Sequence, residues 1–206
     1  MTQTIDKPFQ FATVPKLWPG ETFVCIGGGP SLAQADVDYC RGKARVIAIN
    51  DGYRMAPWAD VLYACDDRWW NWHKGVPSFT GLKYALLKRA AVWPGVQVLN
   101  NTGSSGLEMK PKGLRTGRNS GYQAINLAVH LGAARIVLLG YDMQRTGGKE
   151  HWFGDHPNKQ TSPLGSFRGM FDTIREPLKE LGISVTNCSR ETALTSFPRA
   201  RLEDTL

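Results

Sequence analysis

Two histidines lie in one short polar and aromatic run, His151-Trp152-Phe153-Gly154-Asp155-His156-Pro157. An imidazole titrates near neutral pH, so His151 and His156 are the candidates for a general base or acid. The bland alternative is a histidine that holds its loop by hydrogen bonds. A metal between the two would need them on one helical face, and the run lacks that spacing, so no metal ligand is assigned. Anion chemistry is indicated elsewhere, by Gly27-Gly28-Gly29-Pro30-Ser31 directly after an apolar run. Small residues let backbone N–H groups approach a phosphate, although three glycines also suit a plain tight turn. The turn is neither a GxGxxG fingerprint nor a Walker A loop, because no Gly-Lys-Ser/Thr follows.

Further polar residues stand where apolar runs stop: Asn50-Asp51, Asp66-Asp67 and Gly140-Tyr141-Asp142. Asn119-Ser120-Gly121 opens a helical pattern. Each alone could be a cap or a turn former. Their convergence on one end of a sheet predicts a site for a nucleotide or nucleotide-like ligand. The cluster Trp69-Trp70-Asn71-Trp72-His73 could stack a base or sugar ring, or pack a loop onto the domain. His130, beside Leu131 in a helical pattern, reads as structural.

The elements that must position these residues alternate. Apolar runs predict strands at Thr22–Ile26, Arg45–Ile49, Asp60–Ala64, Lys83–Leu87, Val96–Leu99, Arg135–Leu139 and Ile183–Asn187. Helical patterns occupy Ser31–Tyr39, with Ser31 as the expected N-cap, and the stretch capped by Ser120 and closed by Gly132. A last helix is expected from Gly165 to Leu181, kinked or split at Pro177. This order specifies an α/β fold: a Rossmann-like, mostly parallel sheet with helices on both faces. Residues 1–20 are expected to form an extended arm. Residues 21–206 then form a single nucleotide-binding α/β domain, with loop insertions near 68–77 and 145–163.

Composition agrees with a globular domain, 42% apolar and 21% charged over 206 residues. No stretch approaches the roughly 20 apolar residues that span a bilayer, and the N-terminus lacks the apolar core of a secretory signal. The expectation is a cytoplasmic protein with no membrane partner. The four cysteines form no CxxC pair and read as free thiols. A net charge of +7 favours acidic partners: nucleotides, acidic sugars or nucleic acid. The basic residues are dispersed, and the densest group is Lys110, Lys112, Arg115 and Arg118. Nucleic acid is therefore not specifically indicated.

The string Ile26-Gly-Gly-Gly-Pro-Ser-Leu32, the strand ending at Asn50, and Asn119-Ser120-Gly121 make one pattern with Arg135-Ile-Val-Leu-Leu-Gly-Tyr-Asp142, His156 and the terminal strand to Asn187-Cys188-Ser189. The pattern resembles the bacterial sialyltransferases that use CMP-sialic acid and the related 6-hydroxymethylpterin-diphosphokinase-like proteins. It is most similar to short uncharacterised phage members, over roughly residues 21 to 200. The resemblance implies that Gly27, Gly29 and Ser31 cradle a phosphate or ribose and that Asn50 bonds the nucleotide. It implies that Asn119, Ser120 and Gly121 meet the nucleotide, that Asp142 fixes a ribose hydroxyl or base edge, and that His156 deprotonates an acceptor hydroxyl. Two positions depart from the sialyltransferase pattern, Cys65-Asp66 in place of an asparagine and Gln144 in place of a tyrosine. The expected function is thus a nucleotide-binding transferase, a glycosyltransferase using a nucleotide-sugar donor, without commitment to CMP-sialic acid. The alternatives are a Mg²⁺-dependent pyrophosphoryl or nucleotidyl transferase, with Asp66 and Asp142 near the metal and Asp51 and Asp67 as further carboxylates that could hold it, and a non-catalytic nucleotide-binding module.

Overall fold

Short, continuously apolar segments that end at glycine, asparagine or aspartate can be buried on both faces only in the middle of a layered fold. The computed structural model, which describes residues 9–154 and 163–206, places them there. In chain order the elements are β1 (Thr22–Ile26), α1 (Gln34–Cys40), β2 (Arg45–Ile49), β3 (Val61–Tyr63), α2 (Asp67–Trp72), β4 (Leu82–Ala85) and β5 (Val96–Val98). Then come β6 (Asn100–Asn101), β7 (Gly113–Leu114), α3 (Ser120–Leu131), β8 (Arg135–Leu139), α4 (Leu164–Asp172), α5 (Arg175–Glu180) and β9 (Ser184–Asn187). Single-turn 3₁₀ segments cover Asn50–Arg54 and Lys88–Val92.

Seven strands form one sheet in the order β5-β4-β3-β2-β1-β8-β9, and every neighbouring pair is parallel. β1 lies inside the sheet between β2 and β8, with Val24 opposite Val46 of β2 and Val137 of β8. Alternate residues of β1 feed two cores. Phe23 and Cys25 join the α3, α4 and α5 side through Ile125, Phe171 and Leu178. Val24 and Ile26 join the α1 and α2 side through Val37 and Trp70. The expected α/β architecture, Rossmann-like with helices on both faces, is therefore the observed one.

Several local boundaries differ from expectation, each for a visible reason. The first helix begins at Gln34, because the Ser31 amide and hydroxyl are both captured by Asp142 and cannot cap it. The cap of α3 is Asn119, whose Oδ1 accepts the Gly121 and Tyr122 amides at 2.8 and 3.2 Å, so Ser120 is the first helical residue. The last helical stretch is split, but at Thr173–Ile174; Pro177 sits in the first turn of α5, where no amide donor is needed. The expected irregular segment at 68–77 opens instead with α2. Its Trp69 and Trp70 are 3% and 0% exposed, so packing rather than ligand stacking explains these two rings.

The described part of the N-terminal arm is tied down along the fold. Ala12, Val14, Trp18 and Gly20 each donate a backbone hydrogen bond, to Val98, Pro111, Leu131 and Gly132 respectively. On α3, His130 is buried and its Nε2–H donates to the Gly113 carbonyl at 2.9 Å, joining β7 to the helix. Burial holds this imidazole below its ordinary value of 6.5, against the pull of the Gly113 bond and Glu108. A depressed basic group binds fewer protons folded than unfolded, so it costs stability as pH falls below 6.5. The expected result is that His130→Gln loses less urea resistance than wild type between pH 7.5 and 5.5. Equal losses would show that His130 does not contribute.

Candidate functional site

Because the chain winds outward from β1 to β5 and then returns to place β8 on the other side of β1, the connections at the carboxyl ends of β1 and β8 diverge. Such a switch point opens a crevice. Here it is a cleft of about 640 Å³ whose walls are the turn after β1, the ends of β2 and β3, the start of α3 and the segment after β8.

The glycine turn is stitched to the end of β8. Gly27 N donates to Leu139 O at 2.8 Å, Gly29 N to Gly140 O at 2.7 Å, and Ser31 N to Asp142 Oδ2 at 2.8 Å. These three amides are committed to the protein, so they are not the phosphate cradle expected of them. Gly27, Gly28 and Gly29 all avoid positive φ. What Gly27 and Gly29 supply is closeness: a Cβ on Gly29 would overlap Asp142 Oδ1 and stand 2.6 Å from Gly140 O, and one on Gly27 would stand 2.7 Å from that same carbonyl. Gly27, Gly28 and Gly29 still line the cleft, whereas Pro30 and Ser31 do not.

Asp142 is fully buried and does not line the cleft either. It accepts Ser31 N and Ser31 Oγ, both at 2.8 Å, and Thr146 Oγ1 at 3.1 Å. Its position corrects the expectation of a ribose or base contact: the carboxylate rivets the turn after β1 to β8. Burial pushes its pKa above the ordinary carboxylate value, against the pull of the Ser31 and Thr146 hydrogen bonds.

The other acidic candidates part company. Asp66, at the N-cap position of α2, makes no capping hydrogen bond with its side chain and lines the cleft. Asp51, 5% exposed, points away and accepts Trp69 Nε1 at 3.0 Å, with Arg54 Nη1 at 3.4 Å and His73 Nε2 at 3.8 Å. Asp67 lies 3.9 Å from Arg89. The three carboxylates thus do not converge, and among the described residues no group of three His, Cys, Asp or Glu side chains is gathered for a metal ion. Asn50 does line the cleft, held at the end of β2 with φ of 49°.

Opposite, Asn119, Ser120 and Gly121 bring the N-terminus of α3 to the cleft wall. With Asn119 Oδ1 occupied by the Gly121 and Tyr122 amides, the amide and hydroxyl of Ser120 make no hydrogen bond among the described residues. Exposed Arg118, at φ 58°, stands beside them. The loop leading in is fixed from below, where Tyr63 Oη donates to Gln123 Oε1 at 2.6 Å and Gln123 Nε2 donates to Thr116 O at 2.7 Å.

The fourth wall is the segment after β8. Thr146 and Lys149 exchange backbone hydrogen bonds at 3.1 Å, and Arg145 binds Glu150 at 2.6 Å. Beyond them the His151 and Phe153 rings lie parallel, 4.9 Å apart, against Gly28. His151 therefore reaches the cleft; His156 lies outside the described residues. Sequence reasoning missed Tyr141, Gln144, Phe153 and Phe167 as lining residues. Proximity to Asp142 and His151 was a usable signal for the first three. Phe167 enters from α4 with no local signature.

Compared with known protein families, with curated proteins and with solved structures, the chain matches none.

Proposed function

We propose that the cleft binds a nucleotide or nucleotide sugar and that the protein is a nucleotide-dependent transferase of the glycosyltransferase type. One observation carries the reading. At the switch point of a parallel sheet, the open N-terminus of a 12-residue helix with Arg118 beside it faces Asn50, Asp66 and a paired aromatic wall across one cleft. A phosphate suits the Ser120 amide and hydroxyl, where the helix dipole and the Arg118 guanidinium both favour negative charge. Asn50 and Asp66 offer hydrogen-bond groups for ribose hydroxyls or a base edge, and Phe153 offers a ring face for stacking.

In the transfer step, an acceptor hydroxyl attacks the sugar carbon as that carbon's bond to the donor phosphate oxygen breaks. His151, on the wall beside Gly28, takes the hydroxyl proton, and the departing phosphate keeps the electron pair. The negative charge that develops on the leaving oxygen is met by Ser120 and Arg118.

A thermal-shift screen with nucleoside monophosphates and nucleotide sugars is expected to raise the wild-type melting temperature, because a ligand of the native state stabilises it. Arg118→Ala, which removes one exposed charge-assisted contact, should weaken the best of these ligands about tenfold. His151→Ala should leave affinity nearly intact while suppressing donor hydrolysis. If no nucleotide or nucleotide sugar shifts the melting temperature, the reading fails.

A further inference from the structure

The buried carboxylate of Asp51 was a sequence candidate for the ligand, yet it faces away from the cleft. What it holds instead leads back to the site by another route. Asp51 Oδ1 is 3.4 Å from Arg54 Nη1, and the Arg54 guanidinium lies 5.5 Å from the centre of the Trp152 ring. Trp152 is the residue between the two cleft-lining rings, His151 and Phe153. Its own ring packs into the core on the α1 and α2 side, while its backbone N–H donates to Gly28 O at 3.1 Å. The wall segment is thus held by Trp152 on the glycine turn, on the core and on Arg54. Arg54 is anchored in turn by Asp51, whose Oδ2 is fixed by Trp69 Nε1 at 3.0 Å.

We infer that Arg54 is a positioning residue: braced by Asp51, it holds Trp152 and thereby sets where His151 and Phe153 stand over the cleft. The inference rests on the nucleotide reading for its functional consequence, but its structural part stands without any ligand. The carboxylate of Asp51 is 5% exposed, so its attraction for Arg54 is less screened than that of a surface pair. The guanidinium is a planar cation that settles well on an indole face. Residues 151 and 153 flank Trp152 in the chain, so a shift of Trp152 is passed to both rings. Arg54 itself does not line the cleft, and any effect of its loss on binding must travel through the wall.

Hydrogen exchange on the full chain tests this directly, because the Trp152 amide reports its own bond to Gly28. In Arg54→Ala, exchange at residues 150–154 is expected to rise about tenfold, with peptides from β1 and α3 unchanged. Arg54→Lys, which keeps a cation near Asp51 and the ring, is expected to recover part of the protection. Unchanged exchange in Arg54→Ala overturns the inference, as does a uniform rise across β1 and α3, which would make Arg54 a general stability residue. As a second readout, CMP, UMP, GMP and AMP are titrated in turn into wild type and Arg54→Ala, and the binder is expected to dissociate faster from the variant. If none binds wild type, the nucleotide reading fails while the exchange result still decides the positioning role. If one binds both proteins with equal off-rates, the functional part of the inference is overturned.

Discussion

Gly29→Ala is expected to destabilise the fold by about 3 kcal/mol, at the upper end of what overpacking costs. The reason lies in what surrounds the missing Cβ. An added methyl would overlap Asp142 Oδ1 and press on the Gly140 carbonyl at 2.6 Å. The first belongs to a carboxylate fixed by three hydrogen bonds and the second is strand-end backbone, so neither can step aside cheaply. The neighbouring Gly28 gives the control. Its Cβ would meet His151 Nδ1 at 3.2 Å and a Phe153 ring carbon at 3.4 Å, both on side chains that can give way. Neither glycine adopts positive φ, so backbone conformation does not separate the two substitutions. Gly28→Ala should therefore change stability by less than about 1 kcal/mol while shifting the His151 ring. Urea midpoints of the two variants measure the contrast. A Gly29→Ala protein within about 1 kcal/mol of wild type would mean that the turn and β8 are not packed as closely as described.

That contrast also marks what could be read from the residues alone. β1, β2 and β8 were legible to the residue, because a strand covered on both faces needs an unbroken apolar run and each run here stops at a residue that breaks a strand. The location of the cleft was legible for the same reason, since strand ends in such a sheet share one edge. The roles of the polar residues there were not. A missing Cβ serves a close ligand and a close neighbouring strand equally well, and the partner that decides between them, Asp142, lies 111 residues from Ser31. Asp51, Asp66 and Asp67 look alike in sequence, but a 3₁₀ turn sends the first toward Trp69 while the start of α2 leaves Asp66 at the cleft. The tryptophan-rich α2 gave no amphipathic signal, being too short to show a period and buried through two consecutive rings.

Asp142 supplies the second large effect. Asp142→Ala takes the acceptor from the Ser31 amide and from the half-buried Ser31 and Thr146 hydroxyls, and a loss of about 2 kcal/mol is expected from donors left so poorly satisfied. Asp142→Asn keeps the shape and one acceptor oxygen, so its loss should be smaller. The two large effects are coupled, because part of the Gly29→Ala clash is with the Asp142 carboxylate itself. In Gly29→Ala/Asp142→Ala that part is relieved while the Gly140 carbonyl still obstructs. The double variant should therefore be more stable than the sum of the singles predicts, by about 1–2 kcal/mol. Strict additivity would place the carboxylate elsewhere. The pH dependence follows from burial. Asp142 titrates above its ordinary value of 3.8, so between those two values the folded chain holds a proton that the unfolded chain has lost. Native stability then falls as pH rises through that window and recovers as pH drops toward 3.8. Asp142→Asn has no such proton. The wild-type advantage over Asp142→Asn should accordingly widen on acidification from pH 7 toward 4, with other carboxylates cancelling in the comparison. A gap that narrows instead would mean that the Ser31 and Thr146 hydrogen bonds outweigh burial, and that the rivet between β1 and β8 is strongest when charged.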